Sequence, residues 1–372
     1  MTFDYATTGL HADDGIEECA DVAPPIHVTT TYDYPADLST VTPGLDDLNG
    51  KPIYSRLNQN NVDRVEAVLG EIIGGHAVAY SNGLAAFHAA MFYLNPKVVM
   101  VGQGYAGVAA MLSMLQRNYG VKLIDLDDDP TLLNKGDVIH LETPINPSAL
   151  ARDIEKYSAI AKSRGATLVV DSTFAPPPLF DPFKWGADIV MHSGSKYFGG
   201  HSDTLSGVLC VKDNSVREKL RLERIALGTI LPSLESWTLL RSLRTYNMRI
   251  KQQAESSNTI VAYLSQHKSE LPLLQDVSHA SLQTDEYVKR HLPLGGGPVF
   301  QLTTVDRKSA MELPGKLKLF HHCTSLGGVE SMIEWRIMTD ARVPDTILRV
   351  SIGIENTKDI LADLVNALGG SL

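Results

Sequence analysis

Residues 168–201 read LVVDSTFAPPPLFDPFKWGADIVMHSGSKYFGGH. Two short apolar runs frame this stretch, at 168–171 and 189–191, and each is typical of a buried β-strand. Runs of the same kind precede them at 98–101, 121–124 and 138–141. Strands that are apolar on both sides indicate a parallel sheet that is covered on both faces.

Helix-like segments separate these strands. The spacing of apolar residues predicts helices over 61–73, 106–118 and 152–164. This alternation predicts an α/β domain whose ligands bind beyond the carboxyl ends of its strands. Beyond residue 212 the chain becomes helical, with a long amphipathic stretch over 233–266. Strand-like runs at 299–302 and 348–352 then predict a smaller α+β domain.

The length of the chain suggests more than one domain. It has 372 residues, which exceeds the roughly 250–300 residues that one hydrophobic core usually serves. We expect an irregular N-terminal arm over 1–50, a large α/β domain over 51–232 and a C-terminal α+β domain over 233–372. Because the arm is proline-rich and costly to order alone, it should pack on something else, such as another subunit.

The composition excludes several functions. With 33 Lys and Arg against 43 Asp and Glu, the formal net charge is −10, which disfavours a general nucleic-acid binder. No apolar run reaches about 18 residues, so we expect no membrane span. The cysteines (Cys19, Cys210 and Cys323) lie far apart and the start is not signal-like, which favours a cytoplasmic location. The histidines show no metal-ligand spacing, so we expect no metal.

The segment 192–203 carries the sharpest chemical signal. It places Lys196 among Ser193, Ser195 and several glycines, directly after a predicted strand. Glycine lets the backbone approach a ligand closely, and serine hydroxyls bind anions. Such a lysine suits a Schiff base to a phosphorylated aldehyde, namely pyridoxal phosphate. The alternative is a surface lysine in a Gly/Ser loop.

Two further pieces fit the same cofactor. Asp171 ends a buried strand, which is costly unless the acid meets a cation such as a protonated pyridine nitrogen. Residues 81–86 form a Gly-containing turn before an apolar helix, and a helix N-terminus binds phosphate. The alternatives are a capping or turn aspartate and an ordinary helix cap.

Motifs along nearly the whole chain resemble those of the Cys/Met-metabolism group of pyridoxal-phosphate enzymes. That group includes cystathionine γ-synthase, cystathionine lyases, methionine γ-lyase and O-acetylhomoserine sulfhydrylase. Besides the Lys196 segment, the similar stretches lie at 8–12, 24–32, 54–56, 83–86, 142–147 (ETPINP), 171–176 (DSTFAP), 241–245, 325–331 (SLGGVES) and 348–355 (LRVSIGIE).

The resemblance implies the aminotransferase-like fold (fold type I), with a mostly parallel seven-stranded sheet, and pyridoxal 5′-phosphate as cofactor. Lys196 would be the Schiff-base lysine and proton shuttle. Asp171 would pair with the pyridine nitrogen, and Tyr105 would stack on the ring unless it is an ordinary packed aromatic. Further cofactor-binding roles would fall to Tyr54, Arg56, Gly83, Leu84, Thr173, Ser193 and Ser195.

The resemblance also implies an assembly and a substrate contact. Tyr54 and Arg56 would reach the cofactor phosphate of a neighbouring subunit, so the active unit would be a dimer, typically paired into a tetramer. Arg349 would grip the substrate α-carboxylate with its planar fork, helped by Asn146 and Ser325. The alternatives are exposed loop residues for the first pair and a surface salt bridge for Arg349.

Three segments depart from the family pattern. Tyr105 is followed by AGV at 106–108 instead of Gly-Gly-Thr, and residues 58–60 read NQN instead of Asn-Pro-Thr. Residues 332–340 read MIEWRIMTD and lack the usual Pro and Thr-His. Such positions lie near the substrate mouth in the family, so we expect the cofactor chemistry to be kept and the second substrate to be unusual.

The implied reaction is γ-replacement on an O-activated L-homoserine, such as the O-acetyl ester, by a thiol or a carbon nucleophile. A cystathionine β- or γ-lyase would use the same residues and stays open. A catalytically inactive cofactor-binding protein would be expected to lack Lys196 or Asp171, and both are present. The expected partners are a small amino-acid substrate and further copies of this chain.

Overall fold

The computed structural model describes residues 3–16, 21–40 and 51–372. Part of the predicted arm, including Cys19 and Pro43, lies outside the described residues. Its described part is not irregular throughout, because a helix forms at Tyr5–His11 (α1). The Asp4 carboxylate caps this helix by accepting the Ala6 N–H at 2.9 Å. The hydroxyl of Tyr5 donates to Asn247, which ties the helix to a later part of the chain.

The remaining elements follow the predicted alternation. The helices are Asn60–Ile73 (α2), Gly83–Leu94 (α3), Ala106–Tyr119 (α4), Ile154–Arg164 (α5), Asn214–Leu227 (α6), Ser233–Leu243 (α7), Tyr246–Gln266 (α8), Glu286–His291 (α9), Arg307–Lys316 (α10) and Thr357–Ala367 (α11). The strands are His76–Tyr80 (β1), Val98–Val101 (β2), Lys122–Ile124 (β3), Val138–Glu142 (β4), Thr167–Asp171 (β5), Ile189–His192 (β6), Gly207–Val211 (β7), Leu274–Ser278 (β8), Val299–Thr304 (β9), His321–His322 (β10), Met332–Trp335 (β11) and Ile347–Ser351 (β12).

The first sheet has seven strands in the order β1-β7-β6-β5-β4-β2-β3. Strands β3, β2, β4, β5 and β6 run parallel to their neighbours, whereas β7 is antiparallel to both β6 and β1. The prediction of a mostly parallel seven-stranded sheet is therefore confirmed. Strands β1 and β7 were not predicted.

Helices cover both faces of this sheet. Along β5, Leu168 and Val170 pack with α2, α5 and α7 in one apolar cluster, while Val169 belongs to a second cluster with α3 and α4. Successive strand residues point to opposite faces, so a strand that is apolar at every position is buried on both sides. This burial explains why the continuous apolar runs predicted the strands.

The second sheet has five strands in the order β10-β11-β12-β9-β8 and is mostly antiparallel. Its core is shared with the end of α8, with α10 and with α11. The amphipathic stretch over 233–266 is interrupted at Arg244 and Thr245, which separate α7 from α8. The domain limits at residues 50 and 232 stay a prediction. Among the described residues, no helix is long and apolar enough to cross a membrane.

Candidate active site

The carboxyl ends of β4, β5 and β6 meet at one edge of the first sheet. In the register of these strands, Glu142 lies opposite Asp171, and Asp171 lies opposite Met191. Lys196 follows β6 by a short turn, in which its amide donates to the Ser193 carbonyl at 3.2 Å. The parallel arrangement therefore brings the predicted acid and the predicted lysine to the same edge.

A cavity of about 740 Å³ opens at this edge and extends to the second sheet. It is lined by most of the residues that the sequence singled out: Gly83, Leu84, Tyr105, Asn146, Asp171, Thr173, Ser193, Ser195, Lys196, Ser325 and Arg349. Glu142, Arg336 and Thr339 also line it and were not predicted as site residues. Both sheets therefore contribute to one site.

Asp171 is buried and has one oxygen committed to the protein. Its Oδ1 accepts from the backbone N–H of Thr173 at 2.9 Å and from the Thr173 hydroxyl at 2.6 Å. The same hydroxyl accepts from the Ser193 N–H at 2.8 Å, so Thr173 ties β5 to the lysine turn. No described residue donates to Oδ2 of Asp171, which leaves that oxygen for a cation in the cavity.

Glu142 gives the site a second buried carboxylate. It accepts the backbone N–H groups of Tyr105 at 2.8 Å and Asn146 at 2.7 Å. Burial is the main cause that raises its pKa to about 8; the negative charge of Asp171 raises it too, and the two hydrogen bonds lower it. Burial also raises the pKa of Asp171, against the hydrogen bonds from Thr173. Burial therefore shifts the pKa of both carboxyl groups upward.

Lys196 is held in a poorly hydrated position. Its Nζ donates to the hydroxyl of Ser325 at 2.8 Å. Burial lowers the pKa of the lysine to about 8, the positive charge of Arg349 lowers it too, and Glu334 opposes the shift. With this pKa, about a tenth of the amine is uncharged at pH 7, and the uncharged form is the one that a nucleophile or proton acceptor requires.

The second sheet supplies a buried cluster of charges. Arg349 donates from Nη1 to Asn146 at 3.1 Å, and from Nη2 to the Ser325 carbonyl at 2.9 Å and to Glu334 at 2.6 Å. Arg349 and Glu334 face each other across β12 and β11. Glu334 also accepts from Arg336 at 2.6 Å and from Thr339. Two guanidinium groups thus share one carboxylate.

The N-terminus of α3 faces the cavity from the other side. The side chain of Asn82 caps the helix by accepting the Ala85 N–H at 2.9 Å. The N–H groups of Gly83 and Leu84 have no partner among the described residues. The hydroxyl of Ser193 lies close by: a Cβ on Gly83 would come within 3.3 Å of it. These donors and the positive end of the helix dipole suit a phosphate.

Ser195 has hydrogen bonds to the neighbouring strand segment in this structure, and its predicted role in cofactor binding stays a prediction. It lines the cavity, but its hydroxyl donates to the Ser206 carbonyl at 3.2 Å and accepts the Ser206 N–H at 2.8 Å. The hydroxyl hydrogen is thus already used, so a contribution from Ser195 to phosphate binding would require its hydroxyl to turn.

Tyr54 and Arg56 are the predicted site residues that the structure keeps away from the cavity. The guanidinium of Arg56 lies 5.6 Å from the centre of the Tyr54 ring and donates to the Ile225 carbonyl at 3.1 Å. Tyr54 is 42% exposed and bridges to Thr31 of the arm. Tyr105, by contrast, lines the cavity and is 45% exposed.

A sequence profile of the family described as Cys/Met metabolism PLP-dependent enzyme matches residues 6–369. The chain belongs to this family. It is 30% identical to cystathionine gamma-lyase of Saccharomyces cerevisiae, over 98% of this chain and 97% of that enzyme. It is 31% identical to cystathionine gamma-synthase of Mycobacterium bovis, over 93% and 91%. The cystathionine beta-lyase of Lactococcus lactis is 31% identical, over 85% and 88%.

Solved structures of this family share the fold. Residues covering 99% of this chain superimpose on metB from Corynebacterium glutamicum with a TM-score of 0.89 at 26% sequence identity, over 98% of that chain. For cystathionine gamma-lyase from yeast the TM-score is 0.87 at 28% identity, over 99% of this chain and 98% of that one. The predicted fold type and family are confirmed.

The cofactor of this family is pyridoxal 5′-phosphate, and the residues of the cavity fit it. The unpaired Oδ2 of Asp171 suits the pyridinium nitrogen. The unpaired N–H groups of Gly83 and Leu84 suit the phosphate. The partly uncharged amine of Lys196 suits the aldehyde.

Glu142 could have been recognised in the sequence by the signal that revealed Asp171, because it too is an acid that ends a buried strand. Arg336 and Thr339 gave no such signal, since they follow a strand that the pattern did not predict. The departure of residues 332–340 from the family pattern was the signal that pointed to this segment.

Proposed function

We propose that this enzyme catalyses γ-replacement on an O-activated L-homoserine, such as O-acetyl-L-homoserine. The bond from Cγ to the leaving oxygen breaks, acetate departs, and Cγ forms a bond to a thiol or a carbon nucleophile that loses a proton. One observation carries the proposal: Lys196 and Arg349 meet at Ser325 inside the cavity. The hydroxyl of Ser325 accepts from the lysine, and its carbonyl accepts from the arginine.

Each of these residues would have a separate role in the proposed reaction. Arg349 would bind the α-carboxylate of the amino acid, which turns its α-carbon toward Lys196. Lys196 would hold the cofactor aldehyde carbon covalently between turnovers and would carry the proton of the substrate α-carbon. When bound, pyridoxal phosphate supplies an electron sink next to that α-carbon. Asp171 would keep the ring nitrogen protonated.

The size of the cavity is compatible with replacement. Its volume of about 740 Å³ leaves room for a second reactant beside the cofactor and the amino acid. The chain's similarity to cystathionine gamma-synthase is also in keeping with replacement. The alternative, a cystathionine β- or γ-lyase, is supported by the equally similar lyases of yeast and Lactococcus lactis.

A product assay separates the two reactions. The purified, cofactor-loaded enzyme is given O-acetyl-L-homoserine with sulfide, L-cysteine or a stabilised carbon nucleophile, and products are identified by mass spectrometry. We expect a new amino acid that carries the nucleophile on Cγ. If 2-oxobutanoate and ammonia are the products with every nucleophile, replacement is wrong and the lyase is right. Borohydride reduction should fix the cofactor to the Lys196 peptide in either case.

We further propose that the enzyme is a cytoplasmic homo-oligomer, a dimer that pairs into a tetramer, acting in amino-acid metabolism such as trans-sulfuration. Tyr54 and Arg56 would complete the phosphate site of a neighbouring subunit. Their exposed position outside the cavity of their own chain supports this role.

A further inference from the structure

Arg336 is a buried cation in the wall of the active-site cavity that the proposed reaction does not use. It follows β11 directly, lines the same cavity as Lys196 and Arg349, and is only 4% exposed. A guanidinium so poorly hydrated is costly unless its donors are satisfied or an anion binds it.

Within this guanidinium, only Nη1 has hydrogen-bond partners among the described residues. Nη1 donates to Glu334 at 2.6 Å and to the hydroxyl of Thr339 at 3.0 Å. Nε is buried and has no partner, and no described residue accepts from Nη2. Nε and Nη2 form the edge of an arginine that binds a carboxylate through two parallel hydrogen bonds. That edge is unused here.

The local charges leave a positive excess. Glu334 is the carboxylate between Arg336 and Arg349, and it binds both at 2.6 Å. If Arg349 takes the α-carboxylate, as proposed above, Arg336 remains in the cavity lining with two donors that no described residue uses.

We infer that Arg336 is a specificity-determining residue that binds a second carboxylate, carried by the substrate at the end away from its α-carboxylate. This inference rests on the proposed function, because it assumes that Arg349 holds the α-carboxylate. The preferred amino acid, or the adduct formed from it, is then a dicarboxylate rather than one with a neutral side chain.

Two unreactive amino acids of equal length test the inference. L-2-Aminoadipate ends in a carboxylate and L-norleucine ends in a methyl group, and neither has a leaving group at Cγ. Their dissociation constants from the cofactor-loaded enzyme are measured by titration calorimetry. We expect aminoadipate to bind about tenfold more tightly, as a bidentate charge-assisted pair allows. In Arg336→Met this preference should disappear while norleucine binding stays within about twofold.

Two further variants serve as controls for this test. Arg336→Lys retains the charge without the fork and should recover part of the preference. Arg307→Met removes an exposed arginine that lies over the outer face of Trp335, outside the cavity, and should leave the preference unchanged. Thermal unfolding of each variant confirms that the protein is folded.

The outcomes distinguish the inference from its premise. If norleucine binds and the ratio of the two constants is the same in Arg336→Met as in the unaltered enzyme, the inference is overturned and the proposed function stands. If Arg336→Met weakens both ligands equally, Arg336 only positions Glu334 and Arg349, which also overturns it. If neither amino acid binds the cofactor-loaded enzyme, the inference is overturned, and the product assay described above decides separately whether the proposed function stands.

Discussion

At the scale of single residues, the position of Lys196 sets the protonation of its own amine. Burial removes water from the ammonium group, and Arg349 adds a repelling charge, so the lysine pKa falls to about 8. The folded protein therefore prepares an amine that can react near physiological pH. An exposed lysine would be almost fully protonated there.

The first prediction concerns cofactor uptake by the apoenzyme. Because only the uncharged amine attacks an aldehyde, the uptake rate should rise about tenfold per pH unit below pH 8 and level off above it. Stopped-flow absorbance would measure the rate. In Arg349→Gln the plateau should begin at higher pH, since a repelling charge is gone. A rate that keeps rising to pH 10 in the unaltered protein would contradict the prediction.

The second prediction concerns Glu142 in the apoenzyme. Its pKa of about 8 lies above its ordinary value of 4.5, so the folded state keeps a proton that the unfolded chain releases. The free energy of unfolding should therefore fall as the pH rises from 4.5 through 8. In Glu142→Gln the free energy of unfolding should depend less on pH. Urea-unfolding midpoints measured between pH 4.5 and 8 would show this. The exposed Glu312→Gln should keep the slope of the unaltered protein, and an equal slope in Glu142→Gln would refute the explanation.

Single site residues could be predicted from the sequence where burying their charge would cost free energy. Asp171 was predicted because an acid that ends a buried strand needs a cation, and the structure places it in the cavity. Glu334 and Arg336 could not be assigned in this way. Their mutual contact depends on the pairing of β11 with β12 and on the turn that follows, neither of which leaves a periodic apolar signal.

At the scale of elements, one loop of the second sheet closes against the lysine turn of the first. Gly327 has a φ of +85°, and a Cβ there would lie 2.8 Å from the carbonyl carbon of Lys196 and the amide nitrogen of Tyr197. Ser325, two residues earlier, also has a positive φ of 85°. The loop thus combines backbone strain with a close backbone approach, as sites that position reacting groups often do.

The third prediction compares two glycines of similar backbone conformation. Gly136 has a φ of +90° but open space around it. Gly136→Ala and Gly327→Ala should each lose about 1–2 kcal/mol of unfolding free energy from the positive φ. Only Gly327→Ala should also lower kcat/KM, by about a hundredfold, because it displaces Lys196 or Ser325. Equal activity of the two variants would show that the contact is unimportant.

Elements were predictable where one local pattern decided them. The central parallel strands are continuous apolar runs, and β2 was found with its observed limits, Val98–Val101. β1 reads HAVAY, in which Val78 is the single β-branched residue between two alanines, so the strand signal was weak and β1 was missed. The break between α7 and α8 was also missed; Arg244 lies at this break and binds Asp13 of the arm, a contact distant in sequence.

At the scale of the whole molecule, the site in one chain is incomplete in the proposed function. Tyr54 and Arg56 lie outside the cavity, and the resemblance gives them to a neighbouring subunit. A closed dimer would supply each cavity with this pair from its partner. The arm beside them leaves large apolar side chains exposed, among them Val28 and Tyr34.

The fourth prediction is that two inactive variants complement each other. Lys196→Ala should be inactive, and Arg56→Ala should bind the cofactor weakly and be nearly inactive. When the two are unfolded together and refolded, mixed dimers hold one site with both residues intact. Activity should then return to about a quarter of the unaltered level. If mixed dimers form and activity does not return, Arg56 does not act across subunits.

The position of the cavity between the two sheets has a consequence for evolution. In the proposed function, bond making depends on Lys196 and Asp171 from the first sheet, whereas recognition depends on Arg349 and its neighbours from the second. Substitutions in the short stretch around β11 can therefore change which molecule is admitted, although a change at Glu334 would also alter the pKa of Lys196. Enzymes with this division can evolve new substrate preferences while they keep the same catalytic residues.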